Sequence, residues 1–138
     1  MQAEKAVRAL LLGDAEVFAR VGSRIYHVTF PQGSAMPVIT YQRISGQHEY
    51  SQDGLEGLET ARIQVSVWTE PEDYADAKLL GDKVKLALSG YVGTTGGVQV
   101  EGIFALDDSD LYEVSGTDAT AQRMGVAWDF EVQCQEST

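Results

Sequence analysis

Apolar residues recur along this chain at two different periods. Between residues 2 and 12, Ala3, Ala6, Val7, Leu10 and Leu11 follow the three- and four-residue spacing of a helix, and Gly13 supplies a stop. Asp14 caps a short continuation through Phe18 and Val21, which Gly22 ends. A brief strand is predicted at 24–27, and Pro31, Gly33 and Pro37 break regular structure before Val38. Residues 38–45 read as a strand with imperfect alternation, Ile39 and Tyr41 on one face and Val38 and Ile44 on the other, so both faces are partly covered. The strand at 61–68 is cleaner: Ala61, Ile63, Val65 and Val67 point inward, and Arg62, Gln64, Ser66 and Trp68 outward.

A helix follows over 71–88. Thr69-Glu70-Pro71-Glu72 fits a capping box, Pro71 falls in the first turn, and Tyr74, Ala77, Leu80, Val84, Ala87 and Leu88 form one apolar stripe. Gly90 closes it, and the Gly-rich run 91–98 makes a tight turn into a strand through Val100, Ile103 and Leu106. A polar, Asp-rich connection is predicted at 107–121. The last strand, 124–134, sets Val126, Trp128, Phe130, Val132 and Cys134 against Ala127, Asp129, Glu131 and Gln133. Strands joined by loops rather than helices predict a single α+β domain over 1–138. Its antiparallel or mixed four-stranded sheet would carry two main helices packed on one face. The segment 46–59 reads as a long polar loop, of a length that is usually functional or disordered.

Composition narrows the function. The net charge is −11, and it is lopsided: residues 1–69 hold six Lys/Arg against seven Asp/Glu, residues 70–138 four against fourteen. Phosphate binding needs a basic surface, which this chain does not offer, whereas an acidic one keeps a protein soluble, repels DNA or meets a basic partner. No apolar run approaches the roughly 20 residues that span a bilayer. Charges interrupt the first residues where a signal peptide would be apolar, so the chain reads as made in the cytoplasm without a membrane partner.

The chemistry-bearing residues are few. Cys134 is the only cysteine and lies in a strand, where a small buried hydrophobe is the expected role. His27 and His48 are the only histidines, and His48-Glu49 lacks the second His of a zinc-protease helix. The glycines of 93–97 follow a helix and open a strand with no adjoining Lys, the reverse of a phosphate-binding loop. Asp107-Asp108-Ser109-Asp110 suggests calcium, but counting from Asp108 puts Glu113 at the sixth place and Ala119 at the twelfth, where a calcium loop needs Gly and Glu. These residues therefore predict no enzyme, no cofactor and no metal site.

In order along the chain, several segments carry a family resemblance: Leu11-Leu12-Gly13-Asp14-Ala15, Val21-Gly22-Ser23-Arg24-Ile25-Tyr26, 37–45, 61–68, the helix with Tyr74, Ala75 and Ala77, and 97–103 running on through Asp107, Asp110, Leu111 and Tyr112. Together they resemble the tail completion or tail terminator proteins of long-tailed bacteriophages and of phage-derived particles such as gene transfer agents. The resemblance implies a homo-oligomeric ring, commonly of six subunits, at the head-proximal end of the tail tube. Such a ring ends tube growth, joins the tube to the head–tail connector (stopper) protein, and lets DNA through its lumen without specific binding. Under that reading the interface candidates are Glu49, Tyr50, Leu55, Glu56, Leu58 and Glu59 of the polar loop, Arg62 and Trp68 facing outward from their strand, and Asp107, Asp108 and Asp110. The loop is expected to order on assembly. Two other readings stand beside it: a small-ligand or regulatory protein-binding module using the sheet's open face and Trp68, and an enzyme built on an acidic pair such as Asp107 with Glu113, to which no sequence feature brings a second group.

Overall fold

A computed structural model describes residues 2–50, 57–114 and 122–135, with 48–50, 114 and 122 described as backbone. Two helices open the chain, α1 (Gln2–Gly13) and α2 (Ala15–Val21). The Asp14 carboxylate accepts from the backbone N–H groups of Glu16 and Val17, both at 3.0 Å, which is the cap that starts α2. Gly22, at φ 57°, closes α2 by donating its N–H to the Phe18 carbonyl.

The strands are β1 (Ile25–His27), β2 (Val38–Tyr50), β3 (Gly57–Thr69), β4 (Gly93–Thr95), β5 (Val98–Val114) and β6 (Gln122–Gln135), with α3 (Tyr74–Leu88) between β3 and β4. They form one mixed sheet in the order β1-β2-β3-β6-β5-β4, in which only β1 and β2 run parallel. The α+β class holds, but the sheet has six strands where four were expected. The additional two are three-residue edges: β1 falls within the brief strand predicted at 24–27, and β4 is too short to set up a period. One of them, β4, lies inside the Gly-rich run: Gly96 and Gly97, at φ 58° and 76°, turn it directly into β5, with Thr95 paired to Val98.

The helices cover one face. Ala3, Ala6, Val7 and Leu11 of α1 and Ala77, Leu80, Val84 and Leu88 of α3 meet Ile39, Ile63, Val65, Val67, Phe130 and Val132 of the sheet, all essentially without solvent contact. Burying each such side chain stabilises the fold by about 1.5–3 kcal/mol. Val38, on the other face, is buried as fully as Ile39, so both sides of β2 are covered at its start.

Two expectations are corrected by strand length. The segment 46–59 is not a single long loop: 46–50 belongs to β2 and 57–59 to β3, paired from Gly46↔Ala61 to Tyr50↔Gly57. The acidic connection at 107–121 is likewise strand as far as Val114, with Asp107↔Asp129 through Val114↔Gln122 in register. In β5, positions 106–110 are exposed on both faces, so no alternation marked them as strand; backbone pairing to β6 holds them instead. The capping box is not made either. Thr69 is the last residue of β3, and its hydroxyl donates to the Met124 carbonyl at 3.2 Å, so α3 begins through a 3-10 turn at Pro71–Asp73 with no side-chain cap.

The two hairpins open in opposite directions. Leu58 pairs with Gln135 and Thr69 with Met124, so the Tyr50/Gly57 end of one hairpin and the Val114/Gln122 end of the other lie at opposite ends of the sheet.

Candidate functional site

Three polar constellations and one groove lie outside the apolar core. On the helix face, Arg43 of β2 reaches two buried carboxylates. It donates to Glu4 of α1 at 2.6 and 3.3 Å and to Glu59 of β3 in a very short contact. Glu4 is 6% exposed and Glu59 2%. Burial pushes the Glu4 carboxyl up, but the Arg43 hydrogen bond, its own backbone N–H and the Arg43 charge together hold it below its ordinary value of 4.5. Glu59 was expected on an exposed loop; it is instead a buried partner of Arg43.

On the opposite face a polar ladder crosses four strands. Arg62 of β3 donates to Asp129 of β6 at 2.6 and 2.9 Å and to Asp107 of β5 at 3.1 and 3.2 Å. Gln64 donates to the other Asp129 oxygen at 3.0 Å, and Gln42 of β2 adds a long contact to Gln64 at 3.5 Å. Further along β5, Lys78 of α3 binds Asp110 at 2.7 Å, which holds the Asp110 carboxyl below the usual range, with Tyr74 contributing. Asp108 is exposed and carries no ion pair.

Trp68 donates to the Thr40 hydroxyl at 3.2 Å, and its ring lies 6.3 Å from that of Phe30. It is therefore half-buried rather than freely exposed. Beside it runs a groove of about 630 Å³, bounded by Val28, Phe30 and Gln32, by Trp68, and by Glu113 and Arg123.

Of the remaining candidates, Leu58 is half-buried, and Glu49 and Tyr50 occupy the last two register pairs of β2. Leu55 and Glu56 lie outside the described residues. The structure thus brings Arg62 and Asp107 together and separates both from Glu59 and Trp68. Asp107 does not meet Glu113 as an acidic pair; its partner is Arg62. Sequence reasoning missed Glu4, Arg43 and Asp129. The available signal was a charge at an inward position: Glu4 sits within the Ala3/Val7 stripe, and Arg43 follows the inward Ile39 and Tyr41.

None of these groups is set up for bond-making chemistry. Burial, then the nearby Glu59 charge, pushes the Cys134 thiol up to about 11, far from a thiolate nucleophile. Among the described residues no cluster of His, Cys, Asp or Glu is arranged to hold a metal ion. No helix among them is long and apolar enough to cross a membrane. What the arrangement offers is surface: two long sheet edges, an acidic strand and a rigid cross-strand ladder.

The comparisons with known proteins agree with a surface-driven role. A family model described as tail completion protein gp17 matches residues 5–124. A chain from a structure titled "Virion of native gene transfer agent (GTA) particle" shares the fold. It superposes with a TM-score of 0.68 at 20% identity, covering 95% of this chain and 92% of that one. No curated protein sequence gives a match.

Proposed function

The chain belongs to the tail completion protein gp17 family, and from that premise we propose that it forms a ring at the head-proximal end of a viral tail tube. It is a structural, non-enzymatic protein of a phage or gene-transfer-agent particle. In the proposed role the ring, of six copies in the family's usual form, ends tube growth and joins the tube to the head–tail connector protein. It is made in the host bacterial cytoplasm and resides at the head–tail junction. The observation that carries this reading is the family match over residues 5–124, which spans every element from α1 to the start of β6.

Three features support it. The sheet opens its two hairpins at opposite ends, which suits a subunit that touches one neighbour above and another below. The exposed carboxylates of β5 suit a channel wall past which DNA slides without sticking. The residues with polar contacts act through structure rather than through reactive groups.

A second reading, a small-ligand or regulatory protein-binding module, is favoured by the groove beside Trp68. Deleting the gene and viewing the particles by negative-stain microscopy separates the two. Filled heads without tails, beside unattached tails of irregular or excessive length, are the expected result. Intact particles with tails of normal length refute the ring role and favour the module.

A further inference from the structure

We infer that the two long edges of the sheet are complementary halves of one interface, so that the β2 edge of one copy seats against the β5 edge of the next. This rests on the ring reading and names the surface that would build the ring.

Both edges are only partly covered. β1 pairs with Ile39–Tyr41 and leaves the outer side of β2 open from Gln42, while β4 pairs with Val98–Val100 and the Gly90 N–H donates to the Ile103 carbonyl at 2.8 Å, leaving β5 open from Phe104 to Val114. Among the described residues no backbone group from outside the sheet bonds to β2 beyond Tyr41 or to β5 beyond Ile103. A long uncovered edge is a template for pairing with another chain. From β2 to β5 there are three antiparallel steps, so the two strands run in opposite directions. Copies set side by side in one orientation therefore present β2 to β5 antiparallel.

The register across the sheet shows that the two edges match in height. Arg43 aligns through Ile63 and Phe130 with Ala105, and Ser45 aligns through Arg62 and Glu131 with Phe104. Ile44, the extra residue of a bulge between Arg43 and Ser45, thus stands level with Phe104 and Ala105. Leu106 is the extra residue of a second bulge, between Ala105 and Asp107. Ile44, Phe104 and Leu106 are 48%, 49% and 46% exposed, so each edge shows apolar side chains at the same height. Bulges disfavour indiscriminate edge pairing, and two at one height restrict each edge to a partner of matching shape.

Charge follows the same alignment. Val38 aligns through Trp68 and Gly125 with Leu111, and the Arg24 side chain donates to the Pro37 carbonyl beside Val38. Arg20 and Arg24 flank the β1 edge without a carboxylate partner. At that height the opposite edge carries exposed Asp108 and Glu113, beside Asp110, which Lys78 already holds. A second copy therefore brings cations to acids where it brings Ile44 to Phe104 and Leu106. Because the two surfaces differ, the contact is heterologous: a joined pair keeps one free β2 edge and one free β5 edge, so copies add until the rotation between them closes a ring.

Disulfide trapping tests this on the full chain. Cys134 is buried, so Ile44→Cys and Leu106→Cys variants each carry one accessible thiol, both at exposed positions that leave the core intact. Under mild oxidation a mixture of the two variants is expected to give a disulfide dimer that neither gives alone, and the double variant a ladder of multimers. High salt, by screening the rim charges, should lower the yield several-fold. Ile44→Cys dimerising alone as readily as in the mixture would show a symmetric contact and overturn the proposal. A chain that is multimeric by light scattering without the mixed dimer would overturn this interface while leaving the ring standing. A monomeric chain with no mixed dimer would also overturn it, and the particle phenotype of the gene deletion then judges the ring reading separately.

Discussion

Replacing Arg43 with Met, which keeps an unbranched stem but removes the guanidinium and its charge, leaves two carboxylates in a site where neither meets much water. Glu4 is 6% exposed and Glu59 2%, and Arg43 is their shared cation. At an effective dielectric constant of about 20, a charge pair near 3 Å is worth about 5 kcal/mol of gross attraction. Desolvation cancels much of that in the intact triad. Removing the cation leaves the desolvation uncompensated, and the expected loss is about 3–5 kcal/mol near neutral pH, a large share of the ~5–15 kcal/mol typical of a domain. The pH dependence gives the sharper test. In the wild type Glu4 is held below its ordinary 4.5, so its contribution is present above that value and is lost as pH falls through the lower folded value. In the Arg43→Met variant the sign reverses, because burial and like charge now favour a protonated carboxyl. The deficit should shrink to about 1–2 kcal/mol by about pH 5 as one of the pair takes up a proton. Urea unfolding of both proteins, followed by tryptophan fluorescence near pH 7.5 and pH 5, measures the difference directly. A deficit under about 1 kcal/mol at the higher pH, or one that does not change with pH, would refute the view that Arg43 offsets two buried charges.

Gly125→Ala should also be costly: a Cβ there would lie 1.9 Å from the Val67 carbonyl oxygen, and the pairing of β6 to β3 would have to shift. A loss of about 3 kcal/mol, seen as a fall in Tm of roughly 10 °C, is expected. Val28 holds φ at 69°, a region β-branched residues avoid, so Val28→Asn should raise stability by about 1 kcal/mol in the same thermal assay; an unchanged or lower Tm would mean the turn carries no strain. Cys134 is buried with its thiol raised to about 11, so a thiol reagent at mildly alkaline pH should modify it only as fast as the chain unfolds. Rapid modification of the native protein would place it at the surface.

The parts of the fold that bury apolar residues were legible in the sequence, and the parts held by backbone pairing or by charge were not. Ala61, Ile63, Val65 and Val67 alternate because the helices cover that face, and the apolar stripe of α3 recurs for the same reason. Beyond Ala105, β5 has no covered face, so Asp107, Asp108 and Asp110 resemble a loop although their backbone is paired to β6. Glu59 misled for a related reason. It sits among polar residues, and only its pairing to His48 and Cys134 across the sheet, with Arg43 reaching it, reveals a buried position. Arg62 and Asp107 were both singled out as surface residues, yet their meeting through Asp129 depends on the order β3-β6-β5, which no local pattern encodes. The outward Trp68 was placed on the correct face, but its bond to Thr40 needs the β2–β3 register.

The opposed hairpins also decide how this domain answers to force. Tension applied between the Tyr50/Gly57 end and the Val114/Gln122 end passes from β3 to β6 along their shared ladder, twelve residue pairs from Leu58↔Gln135 to Thr69↔Met124. Those bonds lie across the pull and are strained together, whereas a hairpin peeled from its open end surrenders them one at a time. The Arg62–Asp129–Asp107 bridge ties β3, β6 and β5 side to side midway along that path, so slippage of one strand past another must break it as well. A subunit built this way is stiff between its two hairpin ends, so in the proposed ring it would carry load along that direction without its strands slipping.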